Sequence, residues 1–324
     1  MRAVEFQGYG GPEVLRVVTA EAPEPGPGQV SIDVAWAGVN FADLKARADG
    51  YRVPALPYVP GLEVSGRVRA LGAGVTDLTA GQEVVALVEG GGYAEVAVAE
   101  AVTVFPVPAG LGLRTAAALP TVLPTAYALV HTVGRLQPGE TVLVQGAAGG
   151  VGTAVGQLAR AAGAGAVYGV VSSAAKAVHA KNHGYDEVFV GAFEEPLRET
   201  TGGRGADLVL DPVGGDTLRA GLASLAVFGR LVSFGNASGA EPWGVGQSEL
   251  YPLGVSVSGF SILSLARTAP DALRRLSQRA FATAADGTVT LPVTAEFTLR
   301  EAAEAHRLMG GRTSTGKLLL RVEH

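Results

Sequence analysis

The stretch from Thr141 to Ser172 constrains this chain more than any other, because it reads as strand, glycine turn, helix and strand in immediate succession. Thr141–Gln145 is a short, β-branched apolar run of the kind that a parallel strand buried on both faces needs. Gly146, Gly149, Gly150 and Gly152 follow at once. From Thr153 to Ala162 the residues Ala154, Val155, Leu158, Ala159 and Ala162 recur at three- and four-residue steps, which gives a helix one buried stripe. A second strand, Ala166–Val171, closes the unit.

A turn of this kind binds anions, since unpaired amides at a helix N-terminus point at a phosphate and residues without bulk let it approach the backbone. The expected cradle is Ala147, Gly149, Gly150, Val151 and Gly152, with a dinucleotide as its natural guest. Ala147 stands where the GxGxxG fingerprint has its first glycine, so the match is AxGxxG; a purely structural glycine-rich connection is the competing reading in a chain with 46 glycines. In units that take NAD, an acidic residue about twenty positions past the glycines accepts the ribose hydroxyls. Here that position is Ser172, followed by Ser173 and, one helical turn into the next element, Lys176. Two hydroxyls and an ammonium suit a 2′-phosphate, so the expected cofactor is NADPH. A solvated lysine on an exposed turn is the alternative for Lys176.

A chain of 324 residues has room for two domains with large cores. A net charge of −5, with no basic cluster longer than Arg274-Arg275, argues against nucleic acid and for a small-molecule ligand. The N-terminus lacks a basic region followed by an apolar run, so no secretory signal and a cytoplasmic location are expected. Pro120 and Pro124 interrupt the apolar stretch Ala116–Val130, so no membrane span is expected. The absence of cysteine excludes disulfides, thiolate nucleophiles and cysteine-based zinc sites. His131, His179, His183, His306 and His324 are scattered; His179 and His183 are four apart, but no third ligand accompanies them, and no metal is expected.

Residues 1 to about 120 read as short strands with turn punctuation, an all-β and barrel-like region interrupted by a helix at Phe41–Ala48. Expected strands include Val14–Val18, Val30–Ala35, Glu63–Leu71 and Glu83–Val88. After a helix around Thr125–Val133 and the central unit, strands alternate with helices: Glu187–Val190, Ala206–Leu210, Arg230–Phe234 and Val255–Phe260 against Ala174–Asn182 and Thr217–Leu225. Such alternation predicts an α/β, doubly wound parallel sheet. The tail returns to a mixed pattern, with helices at Asp271–Ala285 and Leu299–Met309 and strands at Thr288–Phe297 and Lys317–Val322.

Particular words within this frame, Ala37-Gly38-Val39-Asn40-Phe41-Ala42-Asp43, Val59-Pro60-Gly61-Leu62-Glu63, Ala147-Ala148-Gly149-Gly150-Val151-Gly152, Gly205 to Asp211 and Gly229 to Gly235, resemble the zinc-independent quinone oxidoreductases of the medium-chain dehydrogenase/reductase superfamily. The resemblance covers essentially the whole chain. It implies a GroES-like β-rich barrel domain from residues 1–122, completed by 265–324, and a Rossmann domain from 123–264, with the cofactor in the cleft between them. Zinc alcohol dehydrogenases of the superfamily have Gly-His-Glu where this chain has Gly61-Leu62-Glu63, and Leu62 cannot ligate zinc. Without a Lewis acid the interconversion of simple alcohols and ketones loses several kcal/mol of stabilisation. Hydride addition to a conjugated double bond is less demanding, because the carbonyl spreads the charge.

The resemblance also implies roles for single residues. Asn40 matches an asparagine near nicotinamide and substrate, Tyr51 a tyrosine that donates a proton or meets the carbonyl, and Thr125 a hydroxyl close to the nicotinamide. Each has a plainer reading: Asn40 and Thr125 as helix caps, Tyr51 as an exposed loop residue. Asp43 and Glu63 match family positions too, and capping or buried ion pairing explains them equally. Gly235, Asn236, Phe260 and Lys317 complete the expected cofactor set, while a tyrosine frequent in the family after the following strand, near Gly191 here, is absent. Residues around Tyr51, Gly90 to Tyr93 and Trp243 to Tyr251 are expected to line the substrate site. The function implied is NADPH-dependent reduction of a quinone or activated alkene. An enoyl-thioester reductase and a redox-inactive NADPH-binding protein are the alternatives. The apolar edge strand Val255–Phe260 leads to the expectation of a homodimer.

Overall fold

A computed structural model describes residues 1–241 and 244–323. The chain forms two compact units, one of them Leu123–Ile262 with Asp286–Thr290, the other built from the N-terminal 122 residues with Leu263–Ala285 and the C-terminal segment from Leu291.

The strands of the first unit are Arg2–Glu5 (β1), Arg16–Thr19 (β2), Gln29–Val39 (β3), Glu63–Leu71 (β4), Glu83–Leu87 (β5), Val96–Glu100 (β6) and Val104–Pro106 (β7). The second unit contributes Thr141–Gln145 (β8), Ala166–Val171 (β9), Glu187–Val190 (β10), Ala206–Asp211 (β11), Leu225–Ser233 (β12) and Ser256–Gly259 (β13); the tail returns Val293–Thr298 (β14) and Lys317–Arg321 (β15) to the first. A seven-stranded sheet runs β14-β15-β3-β4-β5-β7, with β6 also paired to β3. β3 is its centre: eleven residues long, it pairs with β4, β6 and β15 and ends at Val39, directly before Asn40. Alternate residues Val30, Ile32 and Val34 go into a core with Val64, Val84, Leu318 and Leu320. Burying such side chains contributes about 1.5–3 kcal/mol each. The C-terminal strand is therefore integral to this unit's core.

In the second unit the six strands are all parallel and lie in the order β10-β9-β8-β11-β12-β13. The order reverses between β8 and β11, and ligands of doubly wound sheets bind beyond the carboxyl ends at such a point. β8 is buried at all five residues, as its unbroken apolar run requires. The α/β architecture with a GroES-like β domain and a Rossmann sheet is the one expected.

Local differences have local causes. The strand expected from Val14 starts at Arg16, because Pro12–Val14 closes a 3₁₀ turn. The strand expected over Thr288–Phe297 starts at Val293, one residue past Pro292, whose nitrogen carries no hydrogen for a ladder. The helix expected around Thr125 starts at Val122 and passes into a π-helical turn at Ala128–Thr132. Helices Glu194–Thr200 and Ile262–Thr268 were not foreseen. Among the described residues no helix is long and apolar enough to cross a membrane.

Candidate functional site

The glycine turn leaves β8 at Gly146, whose φ of 67° lies in the left-handed region that favours glycine. That resolves the missing first glycine of the fingerprint: the conformational demand falls on Gly146, while Ala147 is buried in β-carbon contact range of Gly169 in β9. Gly149 is the N-cap of the helix Gly150–Ala161, three residues earlier than periodicity suggests. Gly152 and Gly149 need glycine for different reasons. A β-carbon on Gly152 would meet the Gly146 carbonyl oxygen at 2.5 Å, so glycine here lets the helix pack on its own turn. A β-carbon on Gly149 would meet only that same oxygen, at 3.5 Å. The space over Gly149, at an N-terminal helix end formed with Gly150 and Val151, is open to a phosphate.

Ser172 is exposed at the end of β9, Ser173 is the N-cap of the helix Ala174–Lys181, and Lys176 lies half-buried in the first turn of that helix. The three are thus gathered at the carboxyl end of the strand next to β8. Gly235 and Asn236 follow β12; a β-carbon on Gly235 would meet the Pro212 carbonyl oxygen at 2.7 Å. The Asn236 amide is engaged within its own loop, donating to the Ala240 carbonyl and accepting from the Ser238 hydroxyl. Phe260 follows β13 and its amide donates to the Ser233 carbonyl at 2.9 Å. Thr125 is buried inside the helix Val122–Tyr127, not at its cap. Trp243 lies outside the described residues.

In the first unit the polar residues gather at the end of β3. Asn40 is the N-cap of the helix Phe41–Asp49, and its backbone amide donates to the Asp43 carboxylate at 2.8 Å. The Asn40 side chain is engaged elsewhere: Nδ2 donates to Glu63 Oε1 at 2.9 Å, and Oδ1 accepts from Lys317 Nζ at 2.9 Å. Lys317 also bonds Glu63 at 2.5 Å and the Val39 carbonyl at 3.0 Å. Glu63 Oε2 accepts the Thr121 amide at 2.8 Å. This corrects the place of Lys317 in the expected cofactor set. Its ammonium has three donors, all three are bound within the protein, and the side chain is 3% exposed, so none remains for a nucleotide.

Asp43 is equally internal. It accepts the Gly61 amide at 3.1 Å and the Tyr93 hydroxyl at 3.3 Å, and Tyr93 meets Nε2 of the buried His306 at 3.2 Å. Burial pushes the Asp43 carboxyl up to about 7, against the lowering effect of the Asn40 amide and Lys317. Burial, with a smaller repulsion from Arg47, pushes His306 down to about 3. The roles of Tyr93 and His306 escaped sequence reasoning; His306 was visible only as one of five scattered histidines.

Beside this cluster a cavity of about 520 Å³ is lined by Tyr51, Tyr58, Leu62 and Asp43, with Leu263 and Ala266 from the helix Ile262–Thr268. Tyr51 is 45% exposed and its hydroxyl has no protein partner among the described residues. Tyr58 differs, since it donates to the Glu89 carbonyl and burial, with the charges of Asp43 and Glu89, pushes its phenol up to about 12. Of the two phenols, Tyr51 is the one available to a ligand. In the first unit Tyr51 lines the cavity, while Asn40 lies among the buried polar groups beside it, three residues before the cavity-lining Asp43; the glycine turn, Ser172 and Lys176 belong to the second unit.

Comparison with known proteins adds lineage to this geometry. The model of the alcohol dehydrogenase GroES-like domain matches residues 26–109, and that of the zinc-binding dehydrogenases matches residues 150–278. The chain is 36% identical to a quinone oxidoreductase of Pseudomonas aeruginosa, covering 98% of this chain and 99% of that one. It is 34% identical to a segment of a phthioceranic/hydroxyphthioceranic acid synthase of Mycobacterium tuberculosis, over 92% of this chain but 14% of the synthase. It superposes on the Escherichia coli quinone oxidoreductase complexed with NADPH with a TM-score of 0.92 at 33% identity, over 99% of this chain and 100% of that one. Zinc, which the second model's description carries, does not fit the donors present. Leu62 follows Gly61, the chain has no cysteine, and among the described residues no three His, Asp or Glu side chains converge.

Proposed function

Because the chain belongs to the quinone oxidoreductase family of the medium-chain dehydrogenase/reductase superfamily, we propose that it is an NADPH-dependent reductase of a quinone or a carbonyl-conjugated alkene that works without zinc. The cavity of the first unit carries this reading. Leu62, Leu87, Val88 and Leu263 give it apolar walls for a flat conjugated ring, and Tyr51 gives it an uncommitted hydroxyl. The open space over Gly149 fits a pyrophosphate, and Ser172, Ser173 and Lys176 fit a 2′-phosphate. NADPH, when bound, supplies the hydride that adds to the electrophilic carbon. The electron pair arriving there displaces the π pair toward the carbonyl oxygen. An N–H of Asn40 stabilises the charge on that oxygen, and Tyr51 or water returns the proton, so that hydride and proton together complete the reduction. Thr125, Gly235, Asn236 and Phe260 belong with the nicotinamide half of the cofactor.

Stopped-flow absorbance of NADPH mixed with a panel of quinones and enones tests the proposal. Oxidation on at least one class is expected; fluorescence quenching without oxidation on any would make the protein a redox-inactive binder. The likeness to a synthase segment favours a second reading, reduction of an enoyl thioester, which faster turnover of an enoyl-coenzyme A than of any quinone would establish.

A homodimer belongs to the same proposal, and the rim of the second sheet supports it. Among the described residues β13 pairs with β12 alone, which leaves its other edge without a strand, and Phe228 of β12 and Tyr251, five residues before β13, are 79% and 71% exposed. An edge of that kind invites pairing with a second copy. Sedimentation at micromolar concentration should give a species of twice 32.8 kDa, and a single species of 32.8 kDa would remove the proposal.

A further inference from the structure

The buried charges around Asn40 do more than fill the core. We propose that the Lys317–Glu63 ion pair is the positioning device for Asn40, fixing which of its amide atoms a substrate carbonyl meets. This rests on the reading above, in which Asn40 touches the substrate.

An asparagine amide is nearly symmetric in shape, so packing alone does not choose between its two orientations. Here the choice is electrostatic. Asn40 Oδ1 accepts from the Lys317 ammonium at 2.9 Å, and Nδ2 donates to the Glu63 carboxylate at 2.9 Å. A half-turn of the amide would set N–H against ammonium and oxygen against carboxylate, inside a pocket where Lys317 is 2% and Glu63 0% exposed. Neither charge can yield, because Lys317 is saturated by its third bond to the Val39 carbonyl and Glu63 is held by the Thr121 amide. One Nδ2 hydrogen is left over once Glu63 has taken the other.

Asn40 therefore offers a donor, which is what an oxygen gaining negative charge during hydride addition requires. A buried ion pair is a poor way to gain stability, since desolvation offsets much of its attraction. Its use here is orientation, the task that groups behind a reacting side chain perform in preorganised sites. Lys317 and Glu63 are positioning residues, acting through Asn40.

A double-mutant cycle on the full-length protein separates this role from mere support of the fold. Turnover of an enone, KM, and the NADPH dissociation constant are measured for Asn40→Ala, Lys317→Met and the pair. Asn40→Ala should lower kcat about a hundredfold. Lys317→Met should lower kcat about tenfold while Asn40 is present, leave NADPH binding within twofold, and cause no further loss in the Asn40→Ala background. Equal losses in both backgrounds would overturn the inference. Should Lys317→Met fail to fold, Lys317→Arg keeps the charge while displacing the donor at Asn40 Oδ1. It is carried through the same cycle, with about a threefold loss expected only when Asn40 is present. An unaltered kcat in Asn40→Ala alone would instead sink the underlying reading of Asn40, and the two failures are thereby distinguished.

Discussion

In the proposed reaction the proton step turns on Tyr51, a half-exposed phenol on a cavity whose other phenol, Tyr58, is committed to a backbone carbonyl. A general acid contributes about a hundredfold to ten-thousandfold to turnover. Tyr51→Phe should therefore lower kcat with enones in that range and leave NADPH affinity nearly unchanged. Quinones, whose reduced oxygens are weakly basic, should suffer least. Enone rates within a factor of two of the unmodified protein would hand the role to water. Lys176 poses the corresponding question for the cofactor. An ammonium bonded to a phosphate contributes about 1.5–3 kcal/mol, so Lys176→Ala should weaken NADPH binding about tenfold to a hundredfold and leave NADH alone. Ser172→Asp should shift the preference further toward NADH by repulsion. Fluorescence titration at fixed salt gives the ratio of the two dissociation constants, and an unchanged ratio in Lys176→Ala would reduce Lys176 to a surface charge. The family resemblance marked Asn40 and Tyr51 as candidates, and the count of residues past the glycine turn marked Lys176. They did not reveal the partners of Lys317. Its hydrogen bonds join residues 278 and 254 positions apart, and such closure depends on how β3, β4 and β15 lie side by side.

At the level of elements, the glycine turn separates folding from binding within four residues. A methyl at Gly152 would strike the backbone of Gly146 and Ala147, so the helix Gly150–Ala161 must lift off its turn. Overpacking of this kind costs about 1–3 kcal/mol. Gly152→Ala should accordingly lower the midpoint of urea unfolding even without cofactor. Gly149→Ala meets no such obstacle, and as an N-cap change it should cost about 0.5–1 kcal/mol. Its penalty should appear as NADPH affinity at least tenfold weaker. If Gly149→Ala leaves NADPH affinity unchanged, the space over Gly149 is not a phosphate cradle. The same turn shows what periodicity can read. Apolar spacing located β8, β9 and the stripe of the helix between them, because those residues are buried by contacts local to the unit. It missed the start of that helix at Gly150, where glycines carry no stripe, and the π-helical turn at Ala128–Thr132, whose hydrogen bonds leave no mark on apolar spacing.

For the molecule as a whole, two buried titrating groups joined through Tyr93 set opposite dependences of stability on pH. His306 has its folded pKa lowered from 6.5 to about 3. As pH falls below 6.5, the unfolded chain takes up a proton that the folded one refuses, and stability drops. Asp43 has its folded pKa raised from 3.8 to about 7. As pH rises above 3.8, the unfolded chain releases a proton that the folded one keeps, and stability again drops, until the folded carboxyl ionises near 7. Between about pH 4 and 6.5 the two states bind the same number of protons at this pair, and its contribution is flat. Removing one member exposes the other. The stability difference between the unmodified protein and His306→Gln should grow as pH rises through this window, by up to about 1.4 kcal/mol per pH unit. The difference between the unmodified protein and Asp43→Asn should shrink over the same range. Urea unfolding at pH 4.5, 5.5 and 6.5 measures both, and every other group cancels because it is common to each comparison. Parallel slopes for the two variants would mean that Asp43 and His306 do not carry opposite proton deficits. The Asp43–Tyr93–His306 chain would then be a set of hydrogen bonds without consequence for the pH range in which the protein stays folded.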